Sequence, residues 1–246
     1  MLNDVIFNDG DKSAYLDWNI VLTKAEIPLP KIKSSTVDIM GADGVLDLSE
    51  ILTGDVKYET RTAKLTFELM DDTRYTETIT EISNYLHGKM VTFTLENDED
   101  FYYKGRASIN SWECSRRKGK IVITVDCEPY KLEVNETVII LPLTSTPTHY
   151  ILQNLRKKIC PLIDVTGDVV IDFNGHMYEL SSGTHRIANI QLVEGDNRLI
   201  ISGSGIGSGE SARLNTIVLG ETKLNSGSGG GSGSGTVKFT YRRGAL

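Results

Sequence analysis

The sequence predicts a mainly β chain of two domains: an N-terminal β-sandwich-like domain carrying one α-helix, residues 1–133, and a second β-sandwich, residues 134–246. Three observations predict it. Apolar residues recur at period two along much of the chain, period 3.6 occurs in one stretch only, and the charge balance changes near residue 133. Up to about that point there are 24 acidic and 16 basic residues; after it there are 9 and 10. Both tryptophans, Trp18 and Trp112, lie in the acidic part.

In the first part Lys64–Leu69, Val91–Leu95 and Ile121–Cys127 alternate as half-buried antiparallel strands do, with Ile121, Ile123, Val125 and Cys127 on one face. Glu96–Asp100 and Arg116–Lys120 lie between strand-like runs and read as hairpin loops. Tyr75, Ile79, Ile82 and Leu86 fall at i, i+4, i+7 and i+11, with Gly88 placed to cap the C-terminus of a single amphipathic helix lying on the sheet. The stretch from Glu136 to Pro147, with Pro142, Pro147 and several Thr and Ser residues, reads as the inter-domain connection.

The second part is strand and turn. Asn174-Gly175 between Val169–Phe173 and His176–Leu180 predicts a tight hairpin, because this dipeptide supplies two positive-φ residues. Glu194–Asn197 predicts another turn before Arg198–Ile201, and Thr236–Tyr241 a last strand with Val237, Phe239 and Tyr241 on one face. Between Gly203 and Gly235 the composition shifts to a Gly/Ser-rich insertion holding 11 of the 23 glycines, with a strand-like island at Leu214–Leu219. Within it, Ser226–Gly235 has the composition of a joined linker, although natural surface proteins carry such runs too.

Several functions are disfavoured. A net charge of −7 argues against a protein that grips nucleic-acid phosphates, and the single basic cluster, Arg116–Lys120, is more consistent with meeting a carboxylate. Apolar runs such as Val138–Leu141 fall far short of the ~18 residues of a membrane span. No basic leader precedes an apolar run, so no secretory signal is expected. Cys114, Cys127 and Cys160 form no C-x-x-C pair and read as reduced, structural thiols. His87, His149, His176 and His185 are scattered, and the acidic clusters Asp71-Asp72 and Asp98–Asp100 lack the ligand alternation of a calcium loop. Phosphate-cradle and nucleophile-elbow patterns are missing, so the expectation is no enzyme, no cofactor and no metal.

Five motifs in order carry a family resemblance: Val37-Asp-Ile-Met-Gly-Ala-Asp-Gly-Val-Leu-Asp-Leu48; Leu52-Thr-Gly-Asp-Val-Lys-Tyr58 with Arg61; Ile82-Ser-Asn-Tyr-Leu-His-Gly88; Asp100-Phe-Tyr-Tyr-Lys-Gly-Arg106; and Asp126-Cys-Glu-Pro-Tyr-Lys131. The stretch from Ser34 to Tyr130 resembles the N-terminal domain of siphophage distal tail (Dit) proteins. Pro161–Gly167, Glu194–Asn197 and the ending Gly235–Leu246 resemble that family's galectin-like C-terminal sandwich. The departure is at Ile206–Ser234, where the family has a shorter connection.

The resemblance implies a virion structural protein, made in the host cytoplasm and placed at the distal end of the tail. It implies a homo-hexamer, alone or as two stacked rings, built mainly by the N-terminal domains and enclosing a bore for DNA. The implied partners are the tail tube protein, the tail-associated hub protein and receptor-binding or other baseplate proteins, with no specific nucleic acid and no membrane insertion. Gly41, Asp43, Gly44, Asp47, Gly54 and Arg61 are then candidate subunit-contact or motif-turn residues; as turns alone, the glycines would serve positive φ. Asp98, Glu99 and Asp100 are candidate lumen acids, which would repel phosphate. The competing reading is a carbohydrate-binding module for cell-wall glycans. The second part has no tryptophan platform, which leaves His176, Tyr178 and Arg186 as a weaker glycan face.

Overall fold

The structure, a computed structural model, describes residues 4–41, 43–51, 54–115, 118–204 and 235–246. It is mainly β, and its contacts divide the chain into two units, Met1–Val134 with Leu246, and Asn135–Ala245. Ala42, Leu52, Thr53, Arg116, Arg117 and most of the Gly/Ser-rich insertion, including the island at Leu214–Leu219, lie outside the described residues.

The first unit contains β1 (Val5–Phe7), β2 (Lys12–Ser13), α1 (Ala14–Trp18), β3 (Ile20–Glu26), β4 (Thr36–Asp38), β5 (Val45–Asp47), β6 (Arg61–Leu69), α2 (Tyr75–Leu86), β7 (Met90–Leu95), β8 (Phe101–Ser115), β9 (Lys118–Cys127) and β10 (Lys131–Glu133). One antiparallel sheet runs in the order β2-β1-β7-β8-β9-β6-β3, with β10 on β8. Register shifts at Leu22/Lys24 in β3 and Ile109/Ser111 in β8 mark bulges, which bend a strand and increase its twist. Asp4, Leu95 and Glu96, beside β1 and β7, line one cavity with Leu22–Ala25 of β3.

The alternating positions of β9 fill the core as the pattern requires, with Ile121, Ile123, Val125 and Cys127 all buried. Helix α2 lays Tyr75, Ile82 and Leu86 on the sheet, Ile79 packs beside them, and Gly88 follows at φ 79° with its N–H on Ala107 O at 2.8 Å. Tyr85 of α2 accepts from Asn8 Nδ2 at 2.7 Å and donates to Asp11 at 2.6 Å, which ties the helix to the β1–β2 turn. Cys127 is a free thiol whose pKa burial pushes up to about 11.

The second unit contains β11 (Thr137–Pro142), β12 (Thr148–Asn154), β13 (Leu162–Thr166), β14 (Asp168–Phe173), β15 (His176–Leu180), β16 (Gly183–His185), β17 (Gly195–Ser204) and β18 (Thr236–Tyr241). They form two four-stranded sheets, β11-β18-β13-β16 and β12-β17-β14-β15. Val165, Val237 and Phe239 of one pack with Ile171, Phe173 and Leu199 of the other in a single core. The Tyr241 hydroxyl donates to Gln153 O at 2.8 Å, joining β18 to β12.

Two expectations are corrected. Much of Glu136–Pro147 is not a connection: Thr137–Pro142 is strand β11, at a sheet edge where the absent N–H of Pro142 breaks no ladder. Glu194–Asn197 is not a closed turn either, because β17 starts at Gly195 (φ 87°). Asn197 is buried there as a clip, accepting from Val193 N at 2.8 Å and donating to Val193 O at 2.8 Å.

Candidate interaction surfaces

Between β3 and β6 the chain leaves the sheet and returns as an arm, residues 27–60. Pro28 and Pro30 cannot join a ladder, so the outgoing leg starts extended. The legs then pair through Lys33 N on Lys57 O (2.8 Å), Glu59 N on Lys31 O (2.7 Å) and the Ile32–Tyr58 bridge. Farther out β4 pairs with β5 in the register Thr36–Asp47, Val37–Leu46 and Asp38–Val45. Gly41 (φ 92°) and Gly44 (φ 78°) turn the chain between them, and Asp43 is exposed in that turn.

Asp47 accepts from the Ser49 N–H (2.9 Å) and hydroxyl, and these bonds hold its carboxyl below the usual range. Gly54 (φ 65°) closes a further turn, its N–H on Glu50 O at 2.7 Å. The motif glycines are therefore turn residues, and what the turns carry is apolar. Leu29 is 74% exposed, Val45 62% and Ile51 70%; Ile32, Val37, Ile39 and Leu46 are exposed, and Met40 fully so. A two-stranded hairpin is marginal by itself, and single exposed apolar residues are ordinary, but this many on one arm make it a candidate interaction surface.

Arg61 stands at the base of the arm and is not on that surface. It is 5% exposed, with its guanidinium 5.0 Å from the centre of the Tyr103 ring, and Nε and Nη2 have no hydrogen-bond partner. Desolvation lowers its pKa, partly offset by Tyr103 and Cys127.

The three acids of the β7–β8 connection differ. Asp98 accepts from Lys131 Nζ at 2.7 Å in a half-buried pair, with Lys131 also 4.3 Å above the Phe101 ring. Glu99 and Asp100 are exposed.

On the second unit, β14 and β15 meet through Asn174 (φ 55°) and Gly175 (φ 79°), in the register Phe173–His176. His176 and Tyr178 line an open depression of about 420 Å³ with Phe173, Asn174, Asn189 and Gln191. Arg186 is not part of its lining; it is exposed beyond β16, where its charge acts on the Cys160 thiol. The sequence reading missed Asn189 and Gln191, although buried Ile190 and Leu192 alternate with them and signal which way they point. Among the described residues no three of His, Cys, Asp and Glu come together to hold a metal ion.

Taken together, the fold defines a mainly β protein with a helix-bearing first unit and a β-sandwich second unit. No family model matches the chain, and no curated protein does. Among solved structures it is similar to the Dit protein (gp 19.1) of phage SPP1, with a TM-score of 0.63 over 98% of this chain and 99% of that one. That protein is described as a paradigm of the hub adsorption apparatus in phages infecting Gram-positive bacteria. Sequence identity is 12%, so the likeness is one of fold.

Proposed function

We propose that the chain is a structural component of a phage tail tip, a distal-tail ring protein rather than an enzyme. The observation that carries this reading is the apolar arm of residues 27–60, which has no packing partner for Met40, Val45 or Ile51 among the described residues. Six N-terminal domains, residues 1–133, close a ring, each laying its arm on a neighbour and burying those side chains. The full-length likeness to a hub adsorption protein supports the same role.

The ring joins the tail tube to the tail-associated hub, and the C-terminal sandwich, residues 134–246, faces receptor-binding or other baseplate proteins. Glu99 and Asp100 are the acids proposed for the bore, where they keep the phosphates of passing DNA from sticking. Asp98, neutralised by Lys131, contributes less to that field. Native mass spectrometry of the purified chain over a concentration series, with negative-stain images, tests the reading. A hexamer, or two stacked hexamers, with an open bore is expected. A strict monomer at every concentration would overturn self-assembly through the arm.

A further inference from the structure

The depression beside the β14–β15 turn is built from two rigid pieces. Asn174 sits in the positive-φ turn, where Asp172 accepts from the Gly175 N–H at 3.0 Å. Asn189 and Gln191 project from a segment pinned from below by buried Ile190 and Leu192. Leu192 exchanges backbone hydrogen bonds with Ile159 at 2.8 and 3.2 Å, and its carbonyl also accepts from Asn154 Nδ2 at 3.0 Å. The backbone that carries the three amides is therefore anchored on both sides of the depression.

The floor is apolar: Phe173 is buried beneath it, Ala188 contributes a methyl group, and the Tyr178 ring packs against the sandwich core. The rim is polar, and the side chains of Asn174, His176, Asn189 and Gln191 make no hydrogen bond or ion pair to another described residue. No carboxylate, lysine or arginine lines it among the described residues.

We propose that this depression binds a neutral saccharide. A sugar ring has one apolar C–H face, which suits the Tyr178 and Ala188 floor, and hydroxyls that each donate and accept. A side-chain amide also donates and accepts, so three of them pair with neighbouring hydroxyls without a charge. A phosphate or carboxylate ligand is best held by the charge-assisted donors of arginine or lysine, and neither lines this rim among the described residues. The volume falls in the range of small-ligand sites, and the open mouth admits one unit of a longer polysaccharide. The inference stands on the second unit alone and holds whether or not the chain forms a ring; on a tail tip it gives the sandwich a cell-wall contact of its own.

The test is saturation-transfer NMR and calorimetric titration of the full chain with glucose, galactose, rhamnose, N-acetylglucosamine and their disaccharides, with glycerol phosphate as the anionic control. At least one neutral sugar is expected to bind with a millimolar Kd while glycerol phosphate does not. The double variant Asn189→Ala/Gln191→Ala should weaken binding about tenfold at unchanged Tm, the loss of two neutral hydrogen bonds. A second variant, Asn174→Gly, keeps the positive-φ turn and should weaken it less. Absence of binding by every neutral sugar at ~100 mM, equal binding of glycerol phosphate, or undiminished binding by the double variant would each overturn the proposal.

Discussion

The hairpins β4–β5 and β14–β15 use similar local chemistry and reach opposite ends. Both turn on positive-φ residues, Gly41 and Gly44 in one, Asn174 and Gly175 in the other. Apolar residues flank both. In β14–β15 the side chains of Val169, Ile171, Phe173 and Leu180 are buried between two sheets; in β4–β5 those of Val37, Val45 and Leu46 face solvent. Turn residues decide that a hairpin forms, and the surroundings decide what stabilises it. The second hairpin is completed by its own chain, whereas the first lacks a covering surface among the described residues, the surface that the proposed ring would supply from a neighbour.

The comparison predicts its largest effect at Ile171. Ile171→Ala leaves a cavity between the sheets and should cost about 2–5 kcal/mol in urea unfolding followed by circular dichroism. A loss under about 1 kcal/mol would mean that the sandwich does not rely on this hairpin.

An alkaline titration sharpens the contrast from the buried side. The Cys127 thiol is raised to about 11, chiefly by desolvation, so the folded state keeps its proton after the unfolded chain has lost it. Its contribution is therefore intact below about pH 9 and is lost by about 1.4 kcal/mol per pH unit as the pH rises towards 11. The measurement is the difference in unfolding free energy between the wild type and Cys127→Ala across that window, where the wild type should lose its advantage. The arm has no part in this, so a pH dependence that survives in Cys127→Ala must come from other buried groups such as Tyr103, whose pKa burial also raises.

What the sequence made legible follows the same division. The alternation in Ile121–Cys127, the 3.6 period in Tyr75–Leu86 and Asn174-Gly175 are local signals, and each stands where expected. Strand β11 was hidden because Val138-Ile-Ile-Leu141 is apolar throughout and its prolines suggested a linker. Its exposed Val138 and Ile140 lie on the outer face, opposite Ile139 and Leu141 on the core, so an all-apolar run conceals the alternation that marks a strand. Arg61 is a candidate subunit-contact residue by resemblance, yet β6 carries it onto the inner face over Tyr103, 5% exposed. The arm's exposure was equally out of reach: Val37-Asp-Ile-Met and Gly44-Val-Leu-Asp read like any half-buried hairpin, and only the lack of a covering element among the described residues distinguishes them. The saccharide depression draws on residues from two segments that no motif links; Asn174 and Tyr178 were visible in one, Asn189 in the other was not.

The smallest effect on stability discriminates most. Leu46 lies on β5 opposite Val37, exposed and outside the packed core of the first unit. Leu46→Ser should therefore change the unfolding free energy of the dilute, isolated chain by no more than about 0.5 kcal/mol, as surface substitutions do. The same variant at high concentration should shift native mass spectra from ring to monomer, because a side chain that is idle in one subunit is buried between two. Both readings must come from one preparation. A variant that unfolds early would show that the arm folds back on its own unit, and one that is stable and still assembles would show that the ring is held elsewhere. Only unchanged stability together with lost assembly keeps the distinction between a hairpin completed by its own chain and a hairpin completed by a neighbour.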